Sequence, residues 1–514
     1  MTAADVRRWV SPRGPLARMA VVAACLGLLA GCEALRIGPD PVLTVRLDEI
    51  LGRLDDTGAF AAARVVELPS RRELYAREAD RPVTPASNMK LLPTAAALDF
   101  FGPQATFKTY LALDGSDLWV IGTGDPATGD PRLCAQRGEA VTALFDRWAD
   151  ALLKRGVREV RGDLVYYDGA LDGEWTHGSW RDGVLHWYGA PISGLNFNDN
   201  CVDITVFPSQ PGQPARYEVV PESTLIRVVN EAVTAEKHEP TIEKRPGENV
   251  YVLGGTVARR EALKSKPVDD PGAFFADVLR LRLAAAGLVV RGQVRRATEP
   301  LGGTIPPPKE AVVAVNETPI ADVLNRINTN SQNMFADALT KMLGGAYAAR
   351  KGSPAAGSWS DGERAIRAFL QKNDIDDDGL VVADGSGLSP DNKVTARLIS
   401  DLLAVMHRRK DGPLYRDSLA KGGVNGTLEK RFADEKGKVF AKTGYIGGVR
   451  SLSGYVHTDQ GRWLAFAILY NKIPGNVKPF EDLQDEAVKL LVRGPPSPSR
   501  WPLNATPRPT VRAR

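Results

Sequence analysis

The stretch Pro85–Leu92 combines a serine with a lysine three residues later, at the start of an apolar run. Residues i and i+3 share one face of a helix, so the amine of Lys90 would lie beside the hydroxyl of Ser87. A desolvated lysine with a lowered pKa can take the proton of a serine hydroxyl and make the oxygen nucleophilic. Pro93 lies inside the run and predicts a kink or a late start of the helix. The stretch therefore indicates nucleophilic catalysis by Ser87.

A Ser-x-x-Lys pattern is weak when it stands alone. It is expected by chance about once in a chain of this length. A second copy, Ser418–Lys421, is indeed present, and it opens onto Gly422-Gly423 instead of an apolar helix. The first copy has the better context, but it needs partners elsewhere in the chain.

One candidate partner is the Ser-x-Asn pattern at residues 331–333, just before a predicted helix from Met334 to Leu343. There the hydroxyl of Ser331 can relay a proton, and the amide of Asn333 can hold a substrate carbonyl. The alternative interpretation is a plain helix N-cap, which a serine at such a position also provides.

A second candidate partner is Lys442-Thr443-Gly444, which lies in the first of three predicted strands at 438–446, 449–456 and 463–470. These strands predict an antiparallel meander. A glycine at a strand edge lets a substrate backbone approach and pair as an added strand. Lys442 and Thr443 supply a cation and a hydroxyl that suit a carboxylate. A lone Lys-Thr-Gly, however, is more often a surface turn.

Taken together, the three motifs occur in an order that resembles the penicillin-binding protein and serine β-lactamase superfamily, with Gln332 in place of the central aspartate. The gap between Lys90 and Ser331 is far longer than in a β-lactamase. In this respect the chain resembles the class C low-molecular-mass penicillin-binding proteins, the D-alanyl-D-alanine carboxypeptidase/endopeptidase family. Five more stretches agree: Gly124–Pro126, Tyr188–Pro191, Asp384–Ser389, Gly426–Leu428 and Leu452–Tyr455. The resemblance covers residues 47–492 and departs at Tyr445-Ile446, where relatives usually carry Thr-Leu.

The resemblance implies an α+β fold with a serine β-lactamase/DD-peptidase-like domain, in which helices flank an antiparallel sheet. This domain is expected to comprise residues 32–102 and 310–493. Residues 103–309, between the first and second motifs, are expected to form a large β-rich insertion of one or two subdomains.

The implied function is that of a serine DD-peptidase acting on the stem peptides of peptidoglycan through an acyl-Ser87 intermediate. It would cleave D-Ala-D-Ala as a carboxypeptidase and D-Ala–diamino acid cross-links as an endopeptidase, and it would bind penicillin and other β-lactam antibiotics covalently. The alternatives are a β-lactamase, an esterase of the same superfamily, and a non-catalytic wall-binding lipoprotein. The long insertion argues against the first, and the intact motifs argue against the last.

The resemblance also implies a role for each site residue. Lys90 would act as base, kept neutral by a cationic Lys442, and Ser331 would pass the proton to the leaving amine. Asn333 would orient the substrate amide, and Thr443 would bind its carboxylate. The other implied site residues are Gly444 at the strand edge, the backbone N–H groups of Ser87 and Tyr445 as an oxyanion hole, and Ser386 in support. No metal or other cofactor is implied.

The N-terminus predicts export. Four arginines precede an uncharged run from Met19 to Gly31, and the sequence Leu29-Ala30-Gly31-Cys32 resembles a bacterial lipobox. Residues 1–31 are therefore predicted to be a lipoprotein signal peptide, with Cys32 lipidated and the protein anchored to a membrane in the periplasm. Ordinary cleavage with an incidental cysteine is the alternative. Residues 494–514, rich in proline and arginine and without an acid, are predicted to be disordered.

Composition excludes some partners. The net charge is only +4 and no basic cluster alternates with aromatic residues, so nucleic acid is not an expected partner. His177, His186 and His238 show no metal-ligand spacing and are interpreted as structural. Cys134 and Cys201 could form a disulfide in an oxidising compartment or remain as buried thiols.

Overall fold

The computed structural model describes residues 41–494. The predicted signal peptide, the predicted lipidation site Cys32 and all but the first residue of the predicted tail 494–514 lie outside these residues. Within them, no helix is both long enough and apolar enough to cross a membrane.

The elements are numbered along the chain. The helices are α1 Pro41–Leu51, α2 Leu91–Phe101, α3 Pro131–Arg137, α4 Ala143–Lys154, α5 Pro271–Ala285, α6 Ile320–Asn328, α7 Asn333–Arg350, α8 Trp359–Lys372, α9 Ala396–Arg408, α10 Gly412–Asp417 and α11 Lys478–Arg493. The strands are β1 Phe60–Leu68, β2 Glu73–Arg77, β3 Thr106–Asp114, β4 Asp117–Gly122, β5 Glu159–Val160, β6 Leu164–Tyr167, β7 Cys201–Phe207, β8 Arg216–Val220, β9 Arg227–Asn230, β10 Val233–Thr234, β11 Glu239–Lys244, β12 Val250–Val257, β13 Glu261–Ala262, β14 Lys266–Pro267, β15 Val289–Val290, β16 Val294–Arg296, β17 Val312–Pro319, β18 Ala420–Lys421, β19 Val439–Ile446, β20 Val449–His457 and β21 Trp463–Asn471.

A six-stranded antiparallel sheet joins the two ends of the described chain, with the strand order β18-β19-β20-β21-β1-β2. Strands β19 to β21 form the predicted meander and differ from the predicted limits by at most one residue. Because β1 pairs with β21 along its whole length, the segment that leads to Ser87 is fixed in the same sheet as β19, which carries Lys442.

Both faces of this sheet are covered by helices. Along β21, Phe466 and Ile468 face a core that they share with α1 and α11. Their neighbours Ala467 and Leu469 face the opposite core, which is shared with α2 and α6 to α9. Alternate side chains of a strand point to opposite faces, so a strand buried on both sides is apolar along its centre, as β21 is from Leu464 to Leu469. The predicted α+β fold, an antiparallel sheet flanked by helices, is confirmed.

Residues 106–319 form a second body of smaller sheets. Its main sheet has five strands in the order β16-β6-β4-β3-β17, and further small sheets are built on β7, on β12 and on the pair β5-β15. Phe145 is at the centre of its core, with ring centroids 4.7 Å from Phe197 and 5.0 Å from Phe275. Strand β17 pairs with β3, so the strand pairing of the insertion extends past residue 309. The division of the chain at residues 102 and 309 stays a prediction.

The two cysteines of this body are buried thiols, and two of its three histidines bond neighbouring side chains. Cys134 and Cys201 are free thiols, and both are buried. His177 bonds Ser179, and His238 bonds Glu261, through their ring nitrogens. In the part of the chain that the structure describes, no group of three or more possible metal-ligand side chains converges.

Candidate active site

Ser87 and Lys90 lie on a short 3₁₀ helix, Ala86–Lys90, which runs directly into α2. In a 3₁₀ helix, residues i and i+3 lie one above the other, and the Nζ atom of Lys90 is 3.0 Å from the Oγ atom of Ser87. The α-helix starts only at Leu91, which places Pro93 in its first turn, where a missing N–H costs nothing. The late helix start predicted from Pro93 is therefore observed.

Lys90 is completely buried behind Ser87. Its Nζ atom also donates to the Oδ1 atom of Asn333 at 2.6 Å and to the carbonyl oxygen of Ser386 at 2.5 Å. Burial lowers the pKa of Lys90 to about 8, although the negative charges of Asp337 and Asp384 act in the opposite direction. A buried amine that loses its proton near neutral pH is suited to accept the proton of a serine hydroxyl.

This pKa gives a pH prediction. The neutral amine of Lys90 accepts the serine proton, but the mechanism proposed below also needs one proton on the two lysines Lys90 and Lys442, and the free protein loses this proton as the pH rises through about 8. The second-order rate constant for acylation by a penicillin should therefore be level just below this pKa and fall above it. Stopped-flow acylation between pH 6 and 9 measures it; a rate constant that rises through pH 8 would show that Lys90 must lose its proton to solvent before acylation.

The second motif begins with a strained residue. Ser331 has a left-handed backbone, with φ 63°, which costs a non-glycine residue about 1 kcal/mol or more. Its Oγ atom lies 2.8 Å from the Nζ atom of Lys442. Asn333 is the first residue of α7, and its Nδ2 atom donates to the carbonyl oxygen of Tyr188 at 2.7 Å. Ser331 and Asn333 thus each contact a lysine of another motif.

The third motif lies on β19 beside the 3₁₀ helix. A Cβ atom on Gly444 would lie 2.1 Å from the Oγ atom of Ser451 and 3.0 Å from the backbone nitrogen of Ser87, so only glycine fits. Strand β18 pairs with β19 only at Phe440 and Ala441, which leaves that edge of β19 without a strand partner from Lys442 onwards. An unpaired edge next to a nucleophile can accept an extended peptide as an added strand.

Lys442 is expected from the resemblance to carry a positive charge, but the direction of its pKa shift opposes this in the free protein. Burial, and after it the charge of Lys90, lowers the pKa of Lys442 well below the usual lysine value. The two acids that raise the pKa of Lys90 have no such effect on Lys442. The negative charges of Asp337 and Asp384 act on Lys90. In the free protein they therefore favour a proton on Lys90 over a proton on Lys442.

The motifs meet in one pocket of about 780 Å³. Its wall includes these predicted residues: Ser87, Ser331, Asn333, Thr443, Gly444 and Tyr445. Tyr445 is 58% exposed at the rim. Lys90 and Lys442 lie behind the wall, and Ser386 is buried and reaches Lys90 only through its carbonyl group. The insertion also contributes Trp180, Trp187, Tyr188 and Lys264 to the wall.

The second Ser-x-x-Lys copy has no such surroundings. The hydroxyl of Ser418 donates to the carbonyl oxygen of Tyr415, and it accepts from Asn328. Lys421 lies 3.7 Å from a carboxylate oxygen of Asp417. This copy caps the end of α10 and is not part of the pocket.

Several residues of the site were not singled out from the sequence. The Nδ2 atom of Asn88 donates to the carbonyl oxygen of Lys442 at 2.8 Å and so joins the first motif to the third. Thr443 donates to Thr427 at 2.9 Å on the pocket wall. Asp337 lies one helical turn after Asn333, a spacing that could have pointed to it. Burial raises the pKa of Asp337 to about 7, and the charge of Asp384 adds to the effect.

Asp384 organises the loop whose carbonyl group accepts from Lys90. Its carboxylate accepts hydrogen bonds from the indole of Trp180, the backbone N–H groups of Gly387 and Ser389, and the amide of Asn392, at 2.6 to 2.8 Å. The carboxylate is completely buried, so each of these donors depends on it. The indole bond also attaches the insertion to this loop.

Asp384→Ala is therefore expected to lower the free energy of unfolding by about 3 kcal/mol, because it leaves buried donors without an acceptor. Asp391→Ala, at an exposed position of the same loop, should change it by less than about 0.5 kcal/mol. Urea unfolding of both variants measures the difference. Equal stability of the two would show that Asp384 does not hold the loop.

The chain was compared with known proteins. It is 30% identical to the D-alanyl-D-alanine carboxypeptidase of Actinomadura sp. (strain R39) over 476 residues, which cover 86% of this chain and 84% of that protein. It is 26% identical to the D-alanyl-D-alanine carboxypeptidase DacB of Haemophilus influenzae over 407 residues, which cover 75% of this chain and 80% of that protein.

Solved structures show the same fold. The crystal structure of penicillin binding protein 4 (dacB) from Haemophilus influenzae superposes with a TM-score of 0.71 at 22% identity, covering 88% of this chain and all of that one. Residues 43–491 match the D-Ala-D-Ala carboxypeptidase 3 (S13) family. This match, which includes all three motifs, shows that the chain belongs to the S13 family of serine-type D-Ala-D-Ala carboxypeptidases.

Proposed function

We propose that this protein hydrolyses peptidoglycan stem peptides through an acyl-Ser87 intermediate, both as a D-Ala-D-Ala carboxypeptidase and as an endopeptidase on D-Ala–diamino acid cross-links. Carboxypeptidase activity is the activity of its family. The observation that carries the mechanism is the pairing of Lys90 with Ser87 at 3.0 Å and of Lys442 with Ser331 at 2.8 Å beside one unpaired strand edge.

Acylation begins when the substrate lies along the open edge of β19. The backbone N–H groups of Ser87 and Tyr445 would form the oxyanion hole, which usually contributes most to such a reaction. The Oγ atom of Ser87 forms a bond to the carbonyl carbon of the penultimate D-alanine, and its proton moves to the Nζ atom of Lys90. Asn333 would orient the substrate amide once its Nδ2 atom leaves the carbonyl group of Tyr188.

The substrate itself would complete the activation of Lys90. Thr443 on the pocket wall would receive the terminal carboxylate, and a negative charge in front of Lys442 raises the pKa of its amine. The positive charge would then move from Lys90 to Lys442, which leaves Lys90 neutral and able to act as base. The cationic Lys442 expected from the sequence would thus belong to the complex and not to the free protein.

Ser331 would carry the proton to the leaving group. The C–N bond breaks as the hydroxyl of Ser331 protonates the departing amine, and the Nζ atom of Lys442 at 2.8 Å can replace that proton. Water then attacks the carbonyl carbon of the ester, the bond between this carbon and the Oγ atom of Ser87 breaks, and a proton of the water passes to that oxygen, which restores Ser87.

The same geometry supports a persistent penicillin adduct instead of β-lactamase activity. The residues that line the pocket, all within 41–494, include no aspartate or glutamate. Class A β-lactamases use a glutamate to activate the deacylating water. Covalent binding of penicillin to Ser87 is therefore proposed here, and the Haemophilus influenzae protein has been crystallised as a complex with a β-lactam.

The location is also proposed. The Leu29-Ala30-Gly31-Cys32 sequence supports a lipid anchor on Cys32 in the bacterial periplasm, where peptidoglycan is the available substrate.

Purified muropeptides test the reaction. The protein should release D-alanine from a pentapeptide that ends in D-Ala-D-Ala, and it should convert cross-linked dimers to monomers. Release of D-alanine with intact dimers would restrict the function to carboxypeptidase activity. Failure on both substrates, with a folded protein, would contradict the proposed function.

A further inference from the structure

The backbone around Ser331 is held from both sides. The guanidinium of Arg326 donates to the side chain of Asn330 at 3.1 Å, and the backbone N–H of Gln332 donates to the carbonyl oxygen of Arg326 at 3.2 Å. Ser331, in its left-handed conformation, lies between these two attachments. A strained residue persists only when its neighbours fix it, so these attachments determine where its hydroxyl lies.

One further attachment comes from the insertion. The Nε2 atom of Gln332 donates to the Oδ2 atom of Asp199 at 2.6 Å, and Arg326 reaches the same oxygen at 3.2 Å. Asp199 is the middle of three consecutive left-handed residues, with φ between 52° and 55°, directly before β7. A strained turn therefore presents this carboxyl group to the neighbours of Ser331.

Asp199 has a second carboxyl group beside it. Asp130 caps the N-terminus of α3: its carboxylate accepts from the backbone N–H of Leu133 at 2.7 Å and from the Nε atom of Arg326 at 2.7 Å. The Oδ1 atom of Asp199 is buried and has no N–H or O–H donor. Burial, with the charge of Asp130, raises the pKa of Asp199 well above the usual value, so the carboxyl group keeps its proton. Asp130, whose charge acts on Asp199, would be the acceptor of that proton.

Asp199 has other titratable groups around it, and the other acid of its cavity does not bind Gln332 in its place. Those that share its cavity or act on it are Arg132, Arg326, Asp203, Asp130 and Cys201. Asp203 bonds Ser265 and Asn198 instead of Gln332.

We propose that Asp199 is a positioning residue for Ser331: by holding Gln332 and Arg326, it keeps the Ser331 hydroxyl against Lys442. This role rests on the proton relay proposed above for Ser331. It also explains Gln332, which stands where the superfamily signature has an aspartate. An aspartate at 332 would bring a third carboxyl group to Asp130 and Asp199, whereas the glutamine amide donates a hydrogen bond.

Two substitutions of Asp199 distinguish positioning from simple packing. Asp199→Ala removes the bond to Gln332 and should lower kcat for the pentapeptide by about 10- to 100-fold, with KM changed little, because the relay is misplaced by a fraction of an ångström to an ångström. Asp199→Asn can still accept from Gln332 and donate to Asp130, so it should stay within about 3-fold of the wild type. Asp203→Asn, in the same cavity, is the matched control and should leave kcat unchanged.

Gln332→Asp provides an independent check. Although it restores the superfamily signature, it should lower kcat, because it adds a carboxyl group where a donor is needed. A Gln332→Asp variant as active as the wild type would overturn the proposed contact, as would an Asp199→Ala variant with full kcat. An Asp199→Asn variant as impaired as Asp199→Ala would show that the proton on Asp199 is not part of the arrangement.

A crystal structure of Asp199→Ala separates this inference from the proposed function. Positioning predicts that Ser331 leaves its left-handed conformation or that the distance from its Oγ atom to the Nζ atom of Lys442 grows beyond 2.8 Å. If Ser331 is unchanged in that crystal, Asp199 does not position it, and this conclusion holds whether or not Ser331 relays a proton. Full turnover by Ser331→Ala, in contrast, would refute the proton relay. A displaced Ser331 in the Asp199→Ala crystal would then still show that Asp199 positions it.

Discussion

Replacing Lys90 with alanine is expected to lower the rate constant for acylation of Ser87 by about 10⁴-fold, the upper range for loss of a general base. The Nζ atom at 3.0 Å is the base nearest to the serine hydroxyl, and without it the hydroxyl proton has no acceptor of suitable pKa. The measurement is the second-order rate constant for reaction with a penicillin, with circular dichroism and thermal unfolding to verify the fold.

Lys421→Ala is the matched control, because Lys421 belongs to the other Ser-x-x-Lys copy and pairs with Asp417. It should react as fast as the wild type. If Lys90→Ala kept more than a tenth of the wild-type rate, another group would have to activate Ser87.

Gly444→Ala is expected to lower the same rate constant by about 100-fold, the effect of misplacing a reacting group by about an ångström. The new methyl group would lie 2.1 Å from the hydroxyl oxygen of Ser451 and would force it away. Ser451 donates to the carbonyl oxygen of Pro85 at 2.6 Å, so its displacement loosens the turn before Ser87. The methyl group would also separate the edge of β19 from the nucleophile.

Gly447→Ala makes the same chemical change three residues later on the pocket wall, where a Cβ atom would meet nothing within 4 Å. It should leave acylation within about 3-fold of the wild type. Equal rates for the two alanine variants would contradict the tight packing of Gly444 against Ser87.

The three motifs and the meander could be predicted because their signals are local. The strands β19 to β21 are apolar runs separated by glycine turns, and such runs have limits that can be read from the sequence. The order of the three motifs indicated the fold and thereby an antiparallel sheet flanked by helices. Their meeting in one pocket follows from the pairing of β1 with β21, which sequence patterns alone do not show.

The rest depends on contacts between residues far apart in sequence. Strand β17 pairs with β3 about two hundred residues earlier, and the sequence of neither strand indicates which strand it pairs with. The positive charge expected on Lys442 stays a prediction. Burial lowers the pKa of Lys442, whereas Asp337 and Asp384, which tertiary packing brings near Lys90, favour the proton on Lys90 in the free protein. Asp199 lies in an ordinary Asn-Asp-Asn turn signal, and its role emerges only from its contact with Gln332.

The measurement that tests the assignment most directly is labelling with a fluorescent penicillin, followed by mass mapping of the labelled peptide. The wild type and the Ser418→Ala control should carry the label on Ser87, and Ser87→Ala should carry none. A label that survives in folded Ser87→Ala, or that maps to another residue of the wild type, would contradict Ser87 as the nucleophile of this pocket.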